Sequence, residues 1–502
     1  MHSSLNRRQF LSVGALALTA VGLAGCSSTT KKTTSFVRPD SAAVTAAEAK
    51  RRRTGTVVQR ALTAEPVELD LGGKTAKTWA YRGGSPAEPL RGDVGDTLKI
   101  DLTNDLPDPT TVHWHGLALR NDMDGVPNLT QKPVGPGETF SYEFTLPEPG
   151  TFWFHPHVGT QLDRGLYAPL IIDAPNEKAD YDKEWVIVLD DWLDGVTATP
   201  DEVLAELKKG MMDHGGMDMG PMRMGNTLMG ATSPLLGGDA GDVYYPLYLI
   251  NGKPANDPQT FAAKPGERIR LRVINAGGDT AFRFGVAGHE ITITHSDGFP
   301  VEPHEAESVV LGMGERYDAV VTAGDGAFAV VAEALGKQDQ ALAVLRTGSG
   351  SAPSKSAKLP QTKSPATAAD LRAASGAALP ERGVDRTLAL ELNGGMEKYD
   401  WAINGKRMDM DQPMRDALGV VEGERVALEF KNSTTMWHPM HLHGHTYQLP
   451  GGGPRKDTAI VLPRTTLRVE FDADNPGRWL THCHNVYHGE AGMMAAIAYQ
   501  EN

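Results

Sequence analysis

Cysteine is almost absent from this chain of 502 residues, which contains only Cys26 and Cys483. A scaffold held together by several disulfides is therefore excluded. Long apolar runs are also lacking. The run near the N-terminus extends from Leu11 to about Leu23, which is shorter than the roughly 20 apolar residues that a membrane-spanning helix needs.

Basic residues are in the minority. The chain has 49 Lys and Arg against 63 Asp and Glu, and its formal net charge is −14. A protein that binds nucleic acid, or that docks on a membrane through a basic face, needs the opposite balance. The composition therefore predicts no nucleic-acid partner. It suits cationic or neutral small molecules, although an acidic surface also serves solubility.

The first 26 residues have the pattern of a targeting signal. Arg7 and Arg8 form a twin-arginine export pattern before the apolar run, and Cys26 ends a Leu-Ala-Gly-Cys box typical of lipoproteins. We expect residues 1–26 to direct export, and the mature protein to be extracytoplasmic and held at the cell membrane only through lipidated Cys26. Residues 27–54, rich in Ser, Thr, Ala and Lys, are expected to form a flexible tether.

Two strand patterns each occur three times, in the same order. The first alternates apolar and polar residues, as half-buried strands do, and its copies occupy residues 95–104, 266–275 and 423–432. The copies of the second occupy residues 150–155, 326–331 and 477–482. Three copies of one β-rich module predict an all-β chain of three Greek-key β-sandwich domains.

The repeats and the composition between them predict the domain boundaries. The first, second and third domains are expected at residues 55–180, 181–347 and 383–502, and a linker rich in Ser, Pro, Ala and Lys at 348–382. One helix is predicted in the second domain. Thr199 is its N-cap, Pro200 lies in its first turn, and Glu202 completes a capping box.

Histidines are concentrated in four short motifs, which contain ten of the sixteen in the chain. Each motif contains one His-X-His pair, and the pairs are His113/His115, His155/His157, His441/His443 and His482/His484. On a strand the side-chain period of two places both members of a pair on one face. Eight imidazoles are more than one metal ion can use, but they suit a cluster of ions.

The last motif adds soft ligands. Cys483 lies between two histidines, His488 follows five residues later, and Met493 follows ten residues later. A Cys with two His and a weak axial Met is the blue-copper electron-transfer arrangement. The second histidine must come from another motif.

Taken together and in this order, the four motifs resemble those of the multicopper oxidases, which include laccases, bacterial copper-efflux oxidases and ferroxidase-like enzymes. The resemblance runs from about Thr56 to the C-terminus. Within the family, the chain looks most similar to the shorter three-domain lipoprotein oxidases of actinobacteria implicated in copper tolerance. It implies cupredoxin-like domains and four copper ions: one type 1, one type 2 and two type 3. It also implies oxidation of a small reductant, coupled to four-electron reduction of O₂ to water.

The resemblance also implies which residues hold each copper. Type 2 copper would take His113 and His441; one type 3 copper would take His115, His155 and His484, and the other His157, His443 and His482. Type 1 copper would take His438, Cys483 and His488, with Met493 axial. The middle domain has none of these residues and is expected to be free of copper.

Three acidic residues are candidates for catalysis. Asp124 resembles the acid that supplies protons beside the cluster, although an aspartate before glycine also forms turns. Asp457 resembles an acid near the type 1 histidine, where it would hold a cation or accept a phenol proton; a salt bridge to an arginine is the alternative. Glu490 is a second proton-donor candidate, because Tyr487 and Gly489 occupy the positions where the family often has glutamates.

Methionines cluster before the second repeat. Seven of the eighteen are Met211, Met212, Met217, Met219, Met222, Met224 and Met229. Thioethers favour Cu(I), so loop 211–229 is expected to collect cuprous ion for oxidation, with a role in copper tolerance; an incidental flexible loop is the alternative. Fe(II) and phenols are alternative reductants, as in a laccase or ferroxidase with no detoxifying role. A copper-storage protein is disfavoured, because storage needs no paired imidazoles.

Overall fold

Three pairs of β-sheets follow one another along the chain in the computed structural model, which describes residues 35–175, 177, 180–210 and 220–501. The body described below is Phe36–Asn502 within those limits. Among the described residues, no helix is long and apolar enough to cross a membrane. The predicted all-β fold is confirmed.

The first pair of sheets follows a short helix, α1 (Ala42–Ala49). Its strands are β1 (Val57–Asp70), β2 (Thr75–Tyr81), β3 (Leu90–Asp93), β4 (Thr97–Asn104), β5 (His113–His115), β6 (Thr139–Thr145), β7 (Gly150–His155) and β8 (Ala168–Asp173). One sheet has the order β2-β1-β4-β6 and the other β3-β8-β7-β5. Two 3₁₀ helices, Asn121–Met123 and Gly159–Asp163, lie in its loops.

The second pair contains helix α2 (Pro200–Leu207) and a 3₁₀ helix, Pro234–Leu236. Its strands are β9 (Lys183–Trp192), β10 (Met222–Met224), β11 (Thr227–Met229), β12 (Thr232–Ser233), β13 (Gly238–Asp239), β14 (Leu247–Ile250), β15 (Lys253–Pro254), β16 (Thr260–Ala262), β17 (Arg268–Asn275), β18 (Phe282–Val286), β19 (Ile291–Ser296), β20 (Phe299–Ala306), β21 (Val309–Leu311), β22 (Arg316–Thr322), β23 (Ala327–Ala334) and β24 (Gln340–Arg346). The main sheets are β15-β14-β9-β17-β22-β19-β20 and β16-β24-β23-β18-β21; β10-β11 and β12-β13 are separate hairpins.

The third pair follows a 3₁₀ helix, Ala368–Asp370, and contains helix α3 (Val486–Ala491). Its strands are β25 (Arg386–Asn393), β26 (Ala402–Ile403), β27 (Leu418–Val420), β28 (Arg425–Asn432), β29 (His438–Leu442), β30 (Tyr447–Gln448), β31 (Arg455–Lys456), β32 (Thr458–Val461), β33 (Thr466–Asp472), β34 (Arg478–Cys483) and β35 (Met494–Tyr499). The sheets have the orders β26-β25-β28-β33-β30-β31 and β27-β35-β34-β29-β32.

The two repeated patterns occupy matching positions in the three pairs of sheets. The first becomes β4, β17 and β28, and each copy runs parallel to the first strand of its sheet and antiparallel to a later one. The second becomes β7, β23 and β34 in the opposite sheets. Alternating apolar side chains of the repeats fill the cores, as Leu98, Ile100 and Leu102 do in β4.

Helix α2 has the predicted cap. The Thr199 hydroxyl accepts the Glu202 N–H at 3.3 Å, and the Glu202 carboxylate accepts the Thr199 N–H at 2.8 Å. Val203 and Leu207 are buried, so the apolar face of the helix points into the protein. Such a cap contributes about 1 kcal/mol to helix stability.

The prediction of a flexible tether is wrong for residues 36–54. The Val37 N–H donates to the Tyr499 carbonyl at 2.8 Å, and Val44 of α1 is 2% exposed. The Glu48 carboxylate is buried and accepts the Thr145 N–H at 3.0 Å. These contacts offset the entropy of ordering the segment. Residues 1–34, including the predicted signal, lie outside the described part of the chain.

Residues 348–382 run over the surface of the second sheet pair. All of them are described, and they contain no strand, only the 3₁₀ turn named above. Ala366 and Ala373 form bridges with Val309 and Val301, and Leu371 is buried. The segment therefore follows the middle sheets closely. The numerical domain boundaries stay a prediction.

Candidate metal centres

The four His-X-His pairs meet between the first and third sheet pairs. Strand register brings the motifs together two at a time, because His113 pairs with His155 across β5 and β7, and His441 pairs with His482 across β29 and β34. The two groups then face each other. The His113 and His441 Nε2 atoms are 3.4 Å apart.

The predicted groups of ligands lie close together. His443 Nε2 and His157 Nε2 lie 3.1 Å and 3.4 Å from His482 Nε2, which brings together one predicted type 3 set. His115 Nδ1 lies 3.2 Å from His484 Nε2, two members of the other. The groups overlap, since His113 also lies within metal-binding range of other pairs. Such sharing fits several ions in one cavity.

The outer nitrogens of five of these rings face oxygen atoms. Nδ1 of His113 and of His441 lies 2.9 Å from the carbonyl of Asp124 and of Asp457, in that order. Nδ1 of His155 lies 2.8 Å from the Pro156 carbonyl, and Nδ1 of His482 lies 2.9 Å from the Cys483 carbonyl. Nδ1 of His443 lies 3.0 Å from the Asp124 carboxylate. A carbonyl or carboxylate only accepts, so these Nδ1 atoms carry the protons and the Nε2 atoms are left as ligand atoms.

One buried nitrogen is left unsatisfied in a way that a metal ion would explain. His155 Nε2 is buried and has no hydrogen-bond partner among the described residues, which is also true of the outer nitrogen of His484, Nδ1. Buried polar atoms are almost always paired. Together with the proton positions of its neighbours, this shows that the eight rings fit copper ions held between the two groups.

A second centre lies around Cys483. Its Sγ is 3.6 Å from His438 Nδ1 and 3.7 Å from His488 Nδ1, and all three residues are at most 1% exposed. Burial raises the pKa of the Cys483 thiol, so a thiolate here requires a cation beside it. One thiol and two imidazoles fit a blue-copper site.

Helix α3, which follows Cys483, brings two further predicted ligands back to this centre. The Asn485 side chain caps α3 by accepting the N–H groups of Tyr487 at 3.0 Å and His488 at 3.2 Å. The Met493 carbonyl accepts the Cys483 N–H at 3.0 Å, and Met493 is fully buried. The helix therefore places His488 against Cys483 and brings Met493 next to it.

Asp124 lies between the two groups of histidines. It is fully buried; its carboxylate lies 3.0 Å from His443 Nδ1, and its carbonyl accepts from His113 at 2.9 Å. It also ends the 3₁₀ turn at Asn121–Met123. The residue is thus both a turn former and a contact of two predicted ligands.

The sequence led us to expect Asp457 beside His438, but the structure places it at the histidine cluster. It is fully buried, its carboxylate lies 3.0 Å from His115 Nε2, and Arg316 binds both carboxylate oxygens at 2.7 Å. The register explains the position, because His441 and not His438 pairs with the residue after Asp457. The predicted contact with a reductant is therefore wrong, and the salt-bridge alternative is observed.

Glu490 lines a small cavity against the cluster. The cavity is also lined by His155, His157, His482 and His484. Burial raises the pKa of Glu490 to about 7, in the range that suits proton exchange near neutrality. Its role as a proton donor stays a prediction.

Sequence reasoning missed several residues beside the Cys483 centre. Asp242, in the loop between β13 and β14, lies 3.1 Å from His488 Nε2 and accepts the Tyr399 hydroxyl at 3.3 Å. The Trp401 ring centre is 4.3 Å from that of His488. No sequence signal points to Asp242, because it lies far from His488 along the chain and belongs to no motif.

Part of the methionine-rich loop is described. Met222 and Met224 on the β10–β11 hairpin are 42% and 48% exposed, and Met229 is partly exposed. Met211, Met212, Met217 and Met219 lie outside the described residues. Leu228 of the same hairpin packs in one apolar cluster with Trp437, the neighbour of His438. The hairpin is thus anchored beside the Cys483 centre.

These two centres, a buried cluster of imidazoles and a Cys-His-His site joined to it by consecutive residues, define a copper protein built for electron transfer. Comparison with known proteins identifies the family. Models described as multicopper oxidase match residues 63–177, 183–350 and 382–502.

Relatives extend the match over almost the whole chain. The chain is 45% identical to the multicopper oxidase MmcO of Mycobacterium tuberculosis, over 98% of this chain and 96% of that protein. It is 28% identical to copper resistance protein A of Escherichia coli, over 88% and 92%. The crystal structure of laccase from Botrytis aclada superposes with a TM-score of 0.74 at 25% identity, over 90% of this chain and 89% of that one.

The chain therefore belongs to the multicopper oxidases, and it is an oxidoreductase whose family uses four copper ions, of types 1, 2 and 3. The domain that contains no predicted ligand matches a model of the family as the others do. Among the described residues, every group of side chains close enough to hold a metal lies within residues 113–157 and 438–488.

Cys483→Ser should abolish the blue absorption of the copper-loaded protein and stop its oxidase activity, because a hydroxyl is a hard, poorly donating ligand. Absorption spectra and metal analysis of both forms measure this. We expect about four coppers per wild-type chain. A blue band that survives in the variant would show that Cys483 is not the type 1 ligand.

Asp124→Asn should slow the oxidation of the reduced enzyme by O₂ by about 10²-fold or more, the usual contribution of a general acid. The amide oxygen can still accept from His443, so copper content and reduction by substrate should remain unchanged. Single-turnover kinetics separate the two half-reactions. If neither changes, Asp124 is only a turn former.

Proposed function

We propose that the enzyme oxidises a small cationic reductant, cuprous ion above all, and thereby serves copper tolerance. The carboxylate of Asp242 against His488 carries this proposal. Burial and the neighbouring Asp279 raise the pKa of the Asp242 carboxyl, so its ionised form is stabilised by a nearby cation and not by a neutral phenol. Asp239, only partly exposed, lies three residues away on β13. Copper resistance protein A, named above, is a relative consistent with this role.

Burial of the type 1 histidines also favours a small reductant. His438 is 0% exposed and His488 is 1% exposed. A bulky phenol therefore cannot touch either imidazole in this structure. A single metal ion needs only one or two protein ligands close to these rings.

The exposed thioethers favour Cu(I) among cations. Met222 and Met224 present soft ligands on the hairpin anchored next to Trp437. Cuprous ion prefers thioethers, whereas ferrous ion prefers nitrogen and oxygen ligands. The same hairpin contains one end of the methionine-rich loop 211–229.

We propose that the ligands are those which the family resemblance implies. His113 and His441 would hold type 2 copper; His115, His155 and His484 one type 3 copper; His157, His443 and His482 the other; and His438, Cys483, His488 and Met493 type 1 copper. When bound, these coppers supply one-electron transfer at the Cys483 centre and reduction of O₂ to water at the cluster.

The residues of the chain connect and supply this chemistry. His482 and His484 adjoin Cys483, so a few covalent bonds link the two centres. Reduction of O₂ consumes protons. Asp124 contacts the cluster and Glu490 lines its cavity, and among the described residues neither is paired with an arginine as Asp457 is. Seven of the eight paired histidines are buried, which limits the access of bulk water to the cluster.

We also propose that the protein is exported by the twin-arginine pathway and anchored outside the cytoplasm through lipid on Cys26. The support is the sequence pattern alone. Cys26→Ser should move the protein from the membrane fraction to the soluble extracytoplasmic fraction. A variant that stays with the membrane would contradict the lipid anchor.

Asp242→Asn should lower kcat/KM for Cu(I) and Fe(II) at least about tenfold relative to a phenol, because a tenfold change corresponds to about 1.4 kcal/mol of lost attraction. Met222→Leu with Met224→Leu should lower the value for Cu(I) alone. Oxygen-consumption rates on the three reductants measure both effects.

Ratios between reductants cancel any general damage to the type 1 site. Met408→Leu is a matched control, since Met408 packs against a different apolar cluster, which includes Val126. Equal losses on all three reductants would contradict a cation site and favour a laccase-like enzyme. A loss on Fe(II) equal to that on Cu(I) in the methionine variant would favour a ferroxidase.

A further inference from the structure

The middle domain contributes a buried arginine to the copper cluster. Arg316, the first residue of β22, is fully buried, and its two terminal nitrogens lie 2.7 Å from the two carboxylate oxygens of Asp457. Paired hydrogen bonds of this kind fix both the position and the orientation of a carboxylate. Asp457 belongs to the third domain, so the pair crosses a domain boundary.

Asp457 in turn contacts two rings of the cluster. Its carboxylate lies 3.0 Å from His115 Nε2, and its carbonyl accepts from His441 Nδ1 at 2.9 Å. A carboxylate held by arginine only accepts, so the proton of His115 lies on Nε2. Nδ1 of His115 is then the ligand atom, and it faces His484 Nε2 at 3.2 Å. In five of the other seven rings the arrangement is the reverse, with Nδ1 bonded outward.

We propose that Arg316 is a positioning residue for the copper cluster: it holds the Asp457 carboxylate in the one place where that carboxylate turns Nδ1 of His115 toward the metal. The middle domain supplies no ligand, yet the cluster depends on it. This inference rests on the proposed role of His115 as a copper ligand.

Two glycines show how closely the middle domain approaches. A Cβ on Gly116 would lie 2.4 Å from an Arg316 nitrogen and 2.6 Å from an Asp457 oxygen. A Cβ on Gly314 would lie 2.9 Å from His115 Cε1 and 3.0 Å from His484 Cδ2. Both glycines have positive φ, +88° and +84°, which other residues adopt only with strain. The close approach of Arg316 and Asp457 to Gly116 explains why glycine follows the His113/His115 pair.

A second set of contacts locks Asp457 to the same domain. Asp297 accepts the N–H groups of Asp457 at 3.1 Å and Thr458 at 3.2 Å on one oxygen, and the N–H of Arg316 at 2.8 Å on the other. Lys456 is buried between Asp297 and Glu315. The backbone of the Asp457 segment is therefore fixed independently of the Arg316 side chain. The carboxylate orientation is left to the two hydrogen bonds from Arg316 and to the Thr458 hydroxyl, which donates to one oxygen at 2.9 Å.

The test is Arg316→Met in the copper-loaded enzyme, read by copper content, by the electron paramagnetic resonance of type 2 copper and by chelator competition. We expect the blue type 1 band to remain, because Arg316 does not touch its ligands. Cluster copper should bind about 10- to 100-fold more weakly, the usual effect of losing an outer-shell contact. The type 2 signal should shift or disappear, because the Asp457 carboxylate also lies 3.4 Å from Nδ1 of His441, a proposed type 2 ligand. Unchanged cluster affinity and an unchanged signal would overturn the proposal.

Arg270→Met is the matched control. Arg270 is a buried arginine of the same domain, paired with Asp318 at 2.6 Å and touching no predicted ligand. It should lower thermal stability while leaving cluster copper bound as in the wild type. If it loses cluster copper as Arg316→Met does, the effect is general destabilisation and the proposal is wrong.

Arg316→Met leaves a buried carboxylate unpaired, which is strongly destabilising. Arg316→Met combined with Asp457→Asn removes that charge and keeps an acceptor for His115. This double variant should fold, with cluster binding still weakened because the acceptor is no longer clamped; wild-type binding would contradict the proposal. His115→Ala tests the underlying assignment separately. If His115→Ala keeps all the copper, the assignment of His115 as a ligand is wrong. If His115→Ala loses copper but Arg316→Met keeps it, only the inference about Arg316 is wrong.

Discussion

The gathering of eight imidazoles in one cavity, seven of them buried and His157 partly exposed, is the constraint on which the rest of the structure depends. Each ring carries two nitrogens, and a buried nitrogen without a partner is costly. The protein satisfies the outer nitrogen of five rings with oxygen atoms, while His155 Nε2 is left for a metal ion. The first and third domains must therefore stay docked, because each holds only half of the cluster. Copper binding and domain docking are then one equilibrium.

The middle domain and the N-terminal segment serve that docking. Arg316 and Asp297 of the middle domain hold the Asp457 segment of the third domain. The N-terminal segment links the other two domains, since Val37 bonds to Tyr499 and Glu48 to Thr145. Neither supplies a predicted ligand. Residues that orient ligands are thus more widely spread along the chain than the ligands themselves.

Sequence alone predicts the strands and the ligand groups, because both depend on local periods. Alternation along β4 and the two-residue spacing of His113 and His115 are visible in a few consecutive residues. Contacts between distant residues leave no such trace. Asp242 meets His488 only through the fold, and the position of Asp457 depends on strand register. The ordered structure of residues 36–54 could not be predicted for the same reason, because composition does not show which residues a segment will contact.

Two histidine groups that come from opposite ends of the chain and meet in the fold would together bind three coppers, and Cys483 would bind the fourth. Anomalous diffraction at the copper absorption edge from crystals of the fully loaded enzyme tests it most directly. Three peaks should lie between His113, His155, His441 and His482 and their paired partners, and one between His438, Cys483 and His488. A single peak in the histidine cavity, or a fully occupied peak within the middle domain, would contradict the account.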